Sequence, residues 1–197
     1  IPENDAFSFF EPGMNRGRLL GVPNSGGGSA LVAVDLDVED TFMLADLILP
    51  QTAEIGGRFS TPRAHRYYWC HPVPGTLRFN GMKGERLLEL LSAGSQVVAP
   101  PSIHPTGERY AWFEAGRATD VVTIDLVLRC QELAIASLLV RYARVPIEVL
   151  RSLEGRLVQT RLARIHEALS KVGSMSVSQN EDPEAIIEFA SRWLDLG

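Results

Sequence analysis

The stretch Ala30-Leu31-Val32-Ala33-Val34-Asp35-Leu36-Asp37 is the one on which the fold turns. It is a short apolar run, preceded by the turn-forming Asn24-Ser25-Gly26-Gly27-Gly28, and it reads as a strand buried on both faces. Side chains alternate between the faces of a strand, so Asp35 and Asp37 project together. Two neighbouring acids at the end of a buried strand repel each other and resist desolvation unless positive charge lies between them. One or two divalent cations held through oxygen would supply that charge. The competing reading has Asp37 starting a turn or capping a helix that begins near Val38, with Asp35 at the strand edge.

Downstream of this strand, Val38, Phe42, Ala45 and Leu49 share one helical face and Pro50 follows, which predicts a helix over 38–49. The Gly and Pro residues of 56–62 predict a turn, and the aromatic-rich 66–70 a strand. Arg63, His65 and Arg66 cluster at the mouth of that strand, where they suit a triphosphate or form scattered charge on a solvated loop. His65 and Tyr67 would share one face, Arg66 and Tyr68 the other. Short strands are predicted at 77–79, 96–99 and 110–112. Glu89 stands inside a leucine-rich run, either facing solvent or buried with a partner. In Pro100-Pro101-Ser102-Ile103-His104-Pro105 the prolines fix the direction of Ser102 and His104.

Upstream, residues 1–28 read as irregular apart from a short strand at 19–22. Gly26-Gly27-Gly28 reads as a turn; the Gly-Lys-Ser/Thr of a phosphate-binding Walker loop does not follow. From about Asp120 the pattern becomes helical, over 126–143, 146–153 and 154–172. A polar linker at 173–180 leads to a last amphipathic helix that opens at Pro183. Leu157, Leu162, Ile165 and Leu169 form a core-facing stripe, while Arg156, Arg161, Arg164 and Lys171 read as a solvated face or as contacts to a nucleic-acid backbone.

Composition narrows the class. The 197 residues suit one large domain or a domain with an appendage, and 45% hydrophobic with 22% charged residues is ordinary for a globular protein. No apolar run is long enough for a membrane span, and the sequence shows no signal peptide. Cys70 and Cys130 are far apart and lack a C-x-x-C companion, which argues against structural zinc and for two free thiols in a reducing cytoplasm. A net charge of −5 argues against a protein that merely coats nucleic acid, yet suits an enzyme whose acids hold metals and whose cations are local. The cations are nearly all arginine, Lys83 and Lys171 being the only lysines. The chain opens at Ile1, as a fragment of a longer protein would.

Taken in order, Asp35-Leu36-Asp37, Arg63-Ala64-His65, Glu89 and Val97-Val98-Ala99-Pro100-Pro101-Ser102-Ile103-His104 resemble the motifs of the bifunctional primase-polymerase branch of the archaeo-eukaryotic primase superfamily. Pro105-Thr106-Gly107 and the Tyr110/Trp112 pair also fit, and the resemblance runs from about Gly21 to Trp112. It departs at Arg63, where the family usually has serine, at Glu89, where aspartate is commoner, and in lacking the family's zinc-binding element. Glu85 is the other candidate for the third acid; the distance to the Pro-Pro-Ser segment favours Glu89.

The resemblance implies an α/β (α+β) fold: an RRM-like antiparallel sheet packed with a second small α/β unit, over residues 1–118, then a helical C-terminal subdomain over 119–197. It implies a template-dependent nucleotidyl transferase, a DNA primase or polymerase of a plasmid, phage or other mobile element. Asp35, Asp37 and Glu89 would be the catalytic metal ligands for two Mg²⁺ or Mn²⁺ ions. His65 with Arg63 or Arg66 would hold the triphosphate, and Ser102 and His104 would line the nucleotide pocket. Tyr67 or Tyr68 is a candidate to stack on a base, against core packing. Partners would be single-stranded DNA, (d)NTPs and a helicase or further domain, with no membrane. Three rivals remain: a two-metal nuclease or phosphohydrolase, a nucleotide- or DNA-binding module without chemistry, and a purely structural module.

Overall fold

The computed structural model describes residues 14–25, 28–172 and 181–194. Residues 1–13, Gly26, Gly27, the linker at 173–180 and residues 195–197 lie outside these, and with them the readings made there. The described chain runs β1 (Arg16–Leu19), β2 (Ala30–Leu36), α1 (Glu39–Ile48), β3 (Glu54–Arg58), β4 (His65–His71), β5 (Leu77–Asn80), β6 (Arg86–Leu91), β7 (Gln96–Ala99), β8 (Tyr110–Ala115), β9 (Thr119–Val122), α2 (Thr123–Tyr142), α3 (Pro146–Arg151), α4 (Gln159–Val172) and α5 (Pro183–Leu194). The fold is α+β: a mostly antiparallel sheet followed by a helical C-terminal part.

The main sheet has the order β5-β6-β2-β4-β3-β8. The apolar β2 takes a central place between β6 and β4, as a strand buried on both faces requires. The outer edge of β4 is shared between two strands. β3 pairs antiparallel with it at His65 and Arg66, and β9 pairs parallel with it from Tyr68 to His71. The expected boundary between residues 118 and 119 therefore falls at the start of a strand of this sheet.

Alternation along the strands sorts the two faces. Val32, Val34, Leu36, Tyr68, Leu88 and Leu90 pack with α1 and α2 in the main core, where each fully buried aliphatic side chain contributes roughly 1.5–3 kcal/mol. On the other face Leu31, Ala33, Tyr67 and Leu91 meet Leu20 and Val97 beside the antiparallel β1–β7 ribbon. The next row along this second face is polar, and it carries the candidate site.

Three local expectations are corrected. The segment read as a turn from Gly56 onward begins as strand β3. Gly57 is the glycine this strand requires: a Cβ there would stand 2.6 Å from the Thr61 carbonyl oxygen and 2.9 Å from the Arg63 nitrogen, where the returning chain packs against β3. The chain over 154–158 is turns, and α4 starts at Gln159. Arg161 and Arg164 do not form a solvated face: both turn inward onto the fully buried Glu132 of α2. The apolar stripe of α4 is buried as its periodicity predicts. No helix among the described residues is long and apolar enough to cross a membrane.

Candidate active site

The register of three strands assembles the site. Asp35 on β2 is the direct partner of Glu89 on β6 and of His65 on β4. Directly opposed residues project to the same face. Glu89 is in turn opposite Arg78 on β5, and His65 is opposite Gly56 on β3, whose other neighbour is Trp112. One row thus crosses the sheet as Arg78–Glu89–Asp35–His65–Gly56–Trp112. Asp37 lies just past β2, but its N–H still donates to the Leu87 carbonyl at 3.0 Å, which continues the strand's alternation and keeps it on the Asp35 face. The helix-cap reading of Asp37 does not hold: Val38 is the N-cap of α1, in extended backbone and without a side-chain cap.

The acids crowd one another. Burial first, then the charges of Asp37 and Glu89, push Asp35 up to about 7. Burial, opposed by Arg86 and reinforced by Glu89, lifts Asp37 to about 6. His65 Nε2 stands 3.3 Å from Asp35 Oδ1. Burial, with help from the Arg58 charge, lowers His65 to about 4, so its ring is neutral at neutral pH and the contact is not a fixed ion pair. His65 Nδ1 is buried and has no hydrogen-bond partner. Glu89 is buried and gripped from two sides, by Arg78 Nε at 2.7 Å and Arg86 Nη1 at 2.9 Å.

An aromatic track leads from the acids to the sheet edge. Tyr110 on β8 stacks on His65, with centroids 5.9 Å apart and planes at 24°. His104 meets the same tyrosine edge-on at 6.2 Å. The His104 ring is aimed by Thr106, whose N–H donates to Nδ1 at 3.2 Å and whose hydroxyl lies 2.8 Å from it. Arg58, two residues beyond Gly56 on β3, shares the site face by alternation and pairs with Glu108 at 3.3 Å. The Ser60 N–H and hydroxyl also donate to Glu108, which ties the hairpin after β3 to the loop carrying His104.

Not every expected residue joins this group. Ser102 is buried, and its hydroxyl is occupied by Arg16, accepting from its N–H at 2.7 Å and donating to its carbonyl at 3.2 Å. Its role here is to pin β1 against the Pro-Pro-Ser loop. Arg66 points to the helical face by strand alternation, and Arg63 joins it there on Asp46. Neither forms an ion pair with the acids of the row. Tyr67 and Tyr68 are fully buried core residues, so neither is free to stack on a base. Glu85, the other candidate third acid, turns toward α2, accepting from the Tyr142 hydroxyl and lying 3.8 Å from Arg141. The sequence reading missed Arg58, Arg78 and Arg86 as cations of the site, and gave Tyr110 no role there. The signal for Arg58 was the alternation Gly56-Gly57-Arg58, hidden while the glycines were read as a turn.

The donor chemistry suits a hard divalent cation. Asp35 and Asp37 offer only oxygens, and burial disfavours the charged form of both, with the Asp37 and Glu89 charges adding to it at Asp35. Among the described residues, however, no three acidic, histidine or cysteine side chains converge into an enclosed metal site. Glu89 faces its two arginines instead, so a cation would meet Asp35 and Asp37 first.

No curated protein and no solved structure matches this chain. The family model described as "Bifunctional DNA primase/polymerase, N-terminal" matches residues 15–126, a span that holds β1 to β9 and every residue of the cross-sheet row. Since that match covers more than half of the sequence, the chain belongs to the Prim-Pol family of primase/polymerase-type nucleotidyl transferases.

Proposed function

We propose that this chain is a template-dependent nucleotidyl transferase that adds (d)NTPs to a 3′-hydroxyl on single-stranded DNA. The observation that carries the reading is the row Glu89–Asp35–His65, which sets two acids and a neutral histidine side by side on three paired strands. Asp35 and Asp37 would hold divalent metal, Mg²⁺ or Mn²⁺, with Glu89 joining as it exchanges an arginine. Bound there, two such ions would activate the 3′-hydroxyl and stabilise the departing pyrophosphate.

The remaining work falls to the chain's own groups. Arg58, on the face of the row and close enough to lower the pKa of both Asp35 and His65, supplies positive charge for the triphosphate. His65, held between Asp35 and the Tyr110 ring, presents Nε2 to the carboxylate and orients it. Tyr110 and His104 form the wall beside it, against which the sugar would rest. Ser102 holds this wall through its carbonyl, which accepts from the Tyr110 N–H at 2.8 Å, rather than by touching the nucleotide.

A binding module without chemistry is the second reading, and the arginine grip on Glu89 favours it. One assay separates the two. The protein is given a single-stranded template with dNTPs or NTPs, in Mg²⁺ or Mn²⁺, with and without a primer, beside an Asp35→Ala/Asp37→Ala control. Product that disappears in the control is expected, and product without primer makes the enzyme a primase. A folded protein that makes no product under any of these conditions would sink the enzyme reading.

A further inference from the structure

Arg63 and Arg66 leave the acids but do not disperse into solvent. They line a cavity of about 510 Å³ on the other side of the sheet, bounded also by Asp46 and Gln51 at the end of α1 and by Glu114 and Thr119. Arg66 is only 3% exposed, and its Nε is buried without a hydrogen-bond partner. The Arg63 Nε is likewise buried and unpartnered. Arg63 also sits at φ 61°, a left-handed backbone conformation that costs a residue with a Cβ and is favourable to glycine. The ion pairs of its guanidinium with Asp46 and Glu114 offset that cost.

Both guanidiniums converge on a single atom. Arg66 Nη1 reaches Asp46 Oδ1 at 2.6 Å and Arg63 Nη2 reaches the same oxygen at 3.4 Å. Asp46 is 59% exposed, so its carboxylate can rotate into water at small cost. Its oxygen marks the seat of an oxyanion between two arginines, and forked donors of this kind match a phosphate. With Asp46 turned away, the two guanidiniums face Glu114 alone, which stays on Arg63 Nη1 at 2.6 Å, and the cavity is net positive. The volume exceeds what a bare phosphate fills and leaves room for a nucleoside beside it.

We propose that this cavity is a second phosphate-ester site, on the opposite face of the sheet from the catalytic row, with Arg63 and Arg66 binding the phosphate and Asp46 as the carboxylate it displaces. The ester would come from a mononucleotide or from the backbone of a DNA strand. Since β4 carries Arg66 beside His65, the two sites would lie back to back on adjacent residues of one strand.

The test is equilibrium binding in EDTA, where the proposed catalysis does not run, so its result is independent of the primase reading. Pyrophosphate, dATP and a 12-nucleotide oligothymidylate are titrated separately into the full chain, Arg63→Gly and Asp46→Asn. Arg63→Gly suits the left-handed backbone and is expected to fold with an unchanged or higher melting temperature. Saturable binding of at least one probe is expected, weakened at least tenfold by Arg63→Gly and tightened by Asp46→Asn. Preference for dATP identifies the nucleotide as the source of the ester, and preference for the oligonucleotide identifies a strand. No saturable binding, a loss below tenfold in Arg63→Gly, or Asp46→Asn binding no more tightly than the natural chain overturns the proposal.

Discussion

Asp35 and His65 face each other across β2 and β4 with 3.3 Å between Oδ1 and Nε2, yet their protonation preferences make them a poor ion pair. Asp35 is pushed up to about 7 and His65 down to about 4, so near neutral pH the contact carries at most one negative charge. A permanent salt bridge would neutralise Asp35 and weaken it as a ligand. A neutral imidazole orients the carboxylate and leaves its charge available.

His65→Gln keeps a polar group at about the reach of Nε2, whereas His65→Ala removes it. If His65 orients Asp35, primer extension by His65→Ala falls by about 10- to 100-fold, and His65→Gln keeps part of the difference. Initial rates with a preformed primer–template measure both. Equal rates for the two variants would show that the polar contact has no part in synthesis.

The pH dependence of stability follows from the same groups. Asp35 has a folded value near 7 against an ordinary 3.8, so between these values the folded state binds the extra proton. Its contribution therefore falls as pH rises from about 4 to 7. Asp37, at about 6, acts in the same direction over about 4 to 6. His65 opposes them, since its folded value near 4 lies below the ordinary 6.5 and stability from it rises through that window. Asp35→Asn removes the largest of these contributions. In EDTA the gain should be about 2 kcal/mol larger at pH 8 than at pH 5, where the folded Asp35 is still protonated and only the lower part of that window has been crossed. Urea denaturation at the two pH values checks this, and an equal gain at both contradicts the placement of the charge.

The acids were legible in the sequence because strand alternation is a two-residue rule: Asp35 and Asp37 share a face whatever surrounds them. Residue pattern alone left Glu89 either solvent-facing or buried with a partner, and Arg78 reaches it through a hairpin register that no local pattern specifies. Arg63 shows the limit most directly. Its proximity to His65 in sequence suggested a shared task, but its φ of 61° turns the chain, and its side chain joins that of Arg66 on Asp46. The β4–β9 pairing was hidden for a related reason, since Thr119–Val122 has too few apolar residues to announce a strand and is held by an edge that β3 leaves open.

These placements separate the arginines experimentally. Arg58→Gln should raise the KM for the incoming nucleotide about tenfold, because it removes the cation nearest His65 on the site face. Arg63→Gly should leave that KM, measured at saturating primer–template, within about twofold. Steady-state extension over a range of dNTP concentrations decides it. A larger KM effect at Arg63 than at Arg58 would return the triphosphate to the position that the sequence motif first suggested.

Glu132 provides a test of the helical part that does not depend on catalysis. It is 0% exposed in α2, and its carboxylate takes Arg161 Nε at 3.1 Å and Arg164 Nε and Nη2 at 2.8 and 2.7 Å, with Arg129 at 3.6 Å. A buried carboxylate is tolerable only with such partners, and they in turn fasten α4 to α2. Glu132→Gln leaves the shape intact but strands two part-buried guanidiniums against a neutral amide. Removing one member of a buried ion-pair network costs about 3 kcal/mol or more, so the variant should unfold at clearly lower urea concentration. Glu167→Gln is the control, since its pairing with Lys171 at 2.6 Å is on the exposed face of α4 and should leave the urea midpoint essentially unchanged. If Arg161 and Arg164 instead lay in solvent, as an amphipathic reading of α4 suggests, the two substitutions would have similarly small effects.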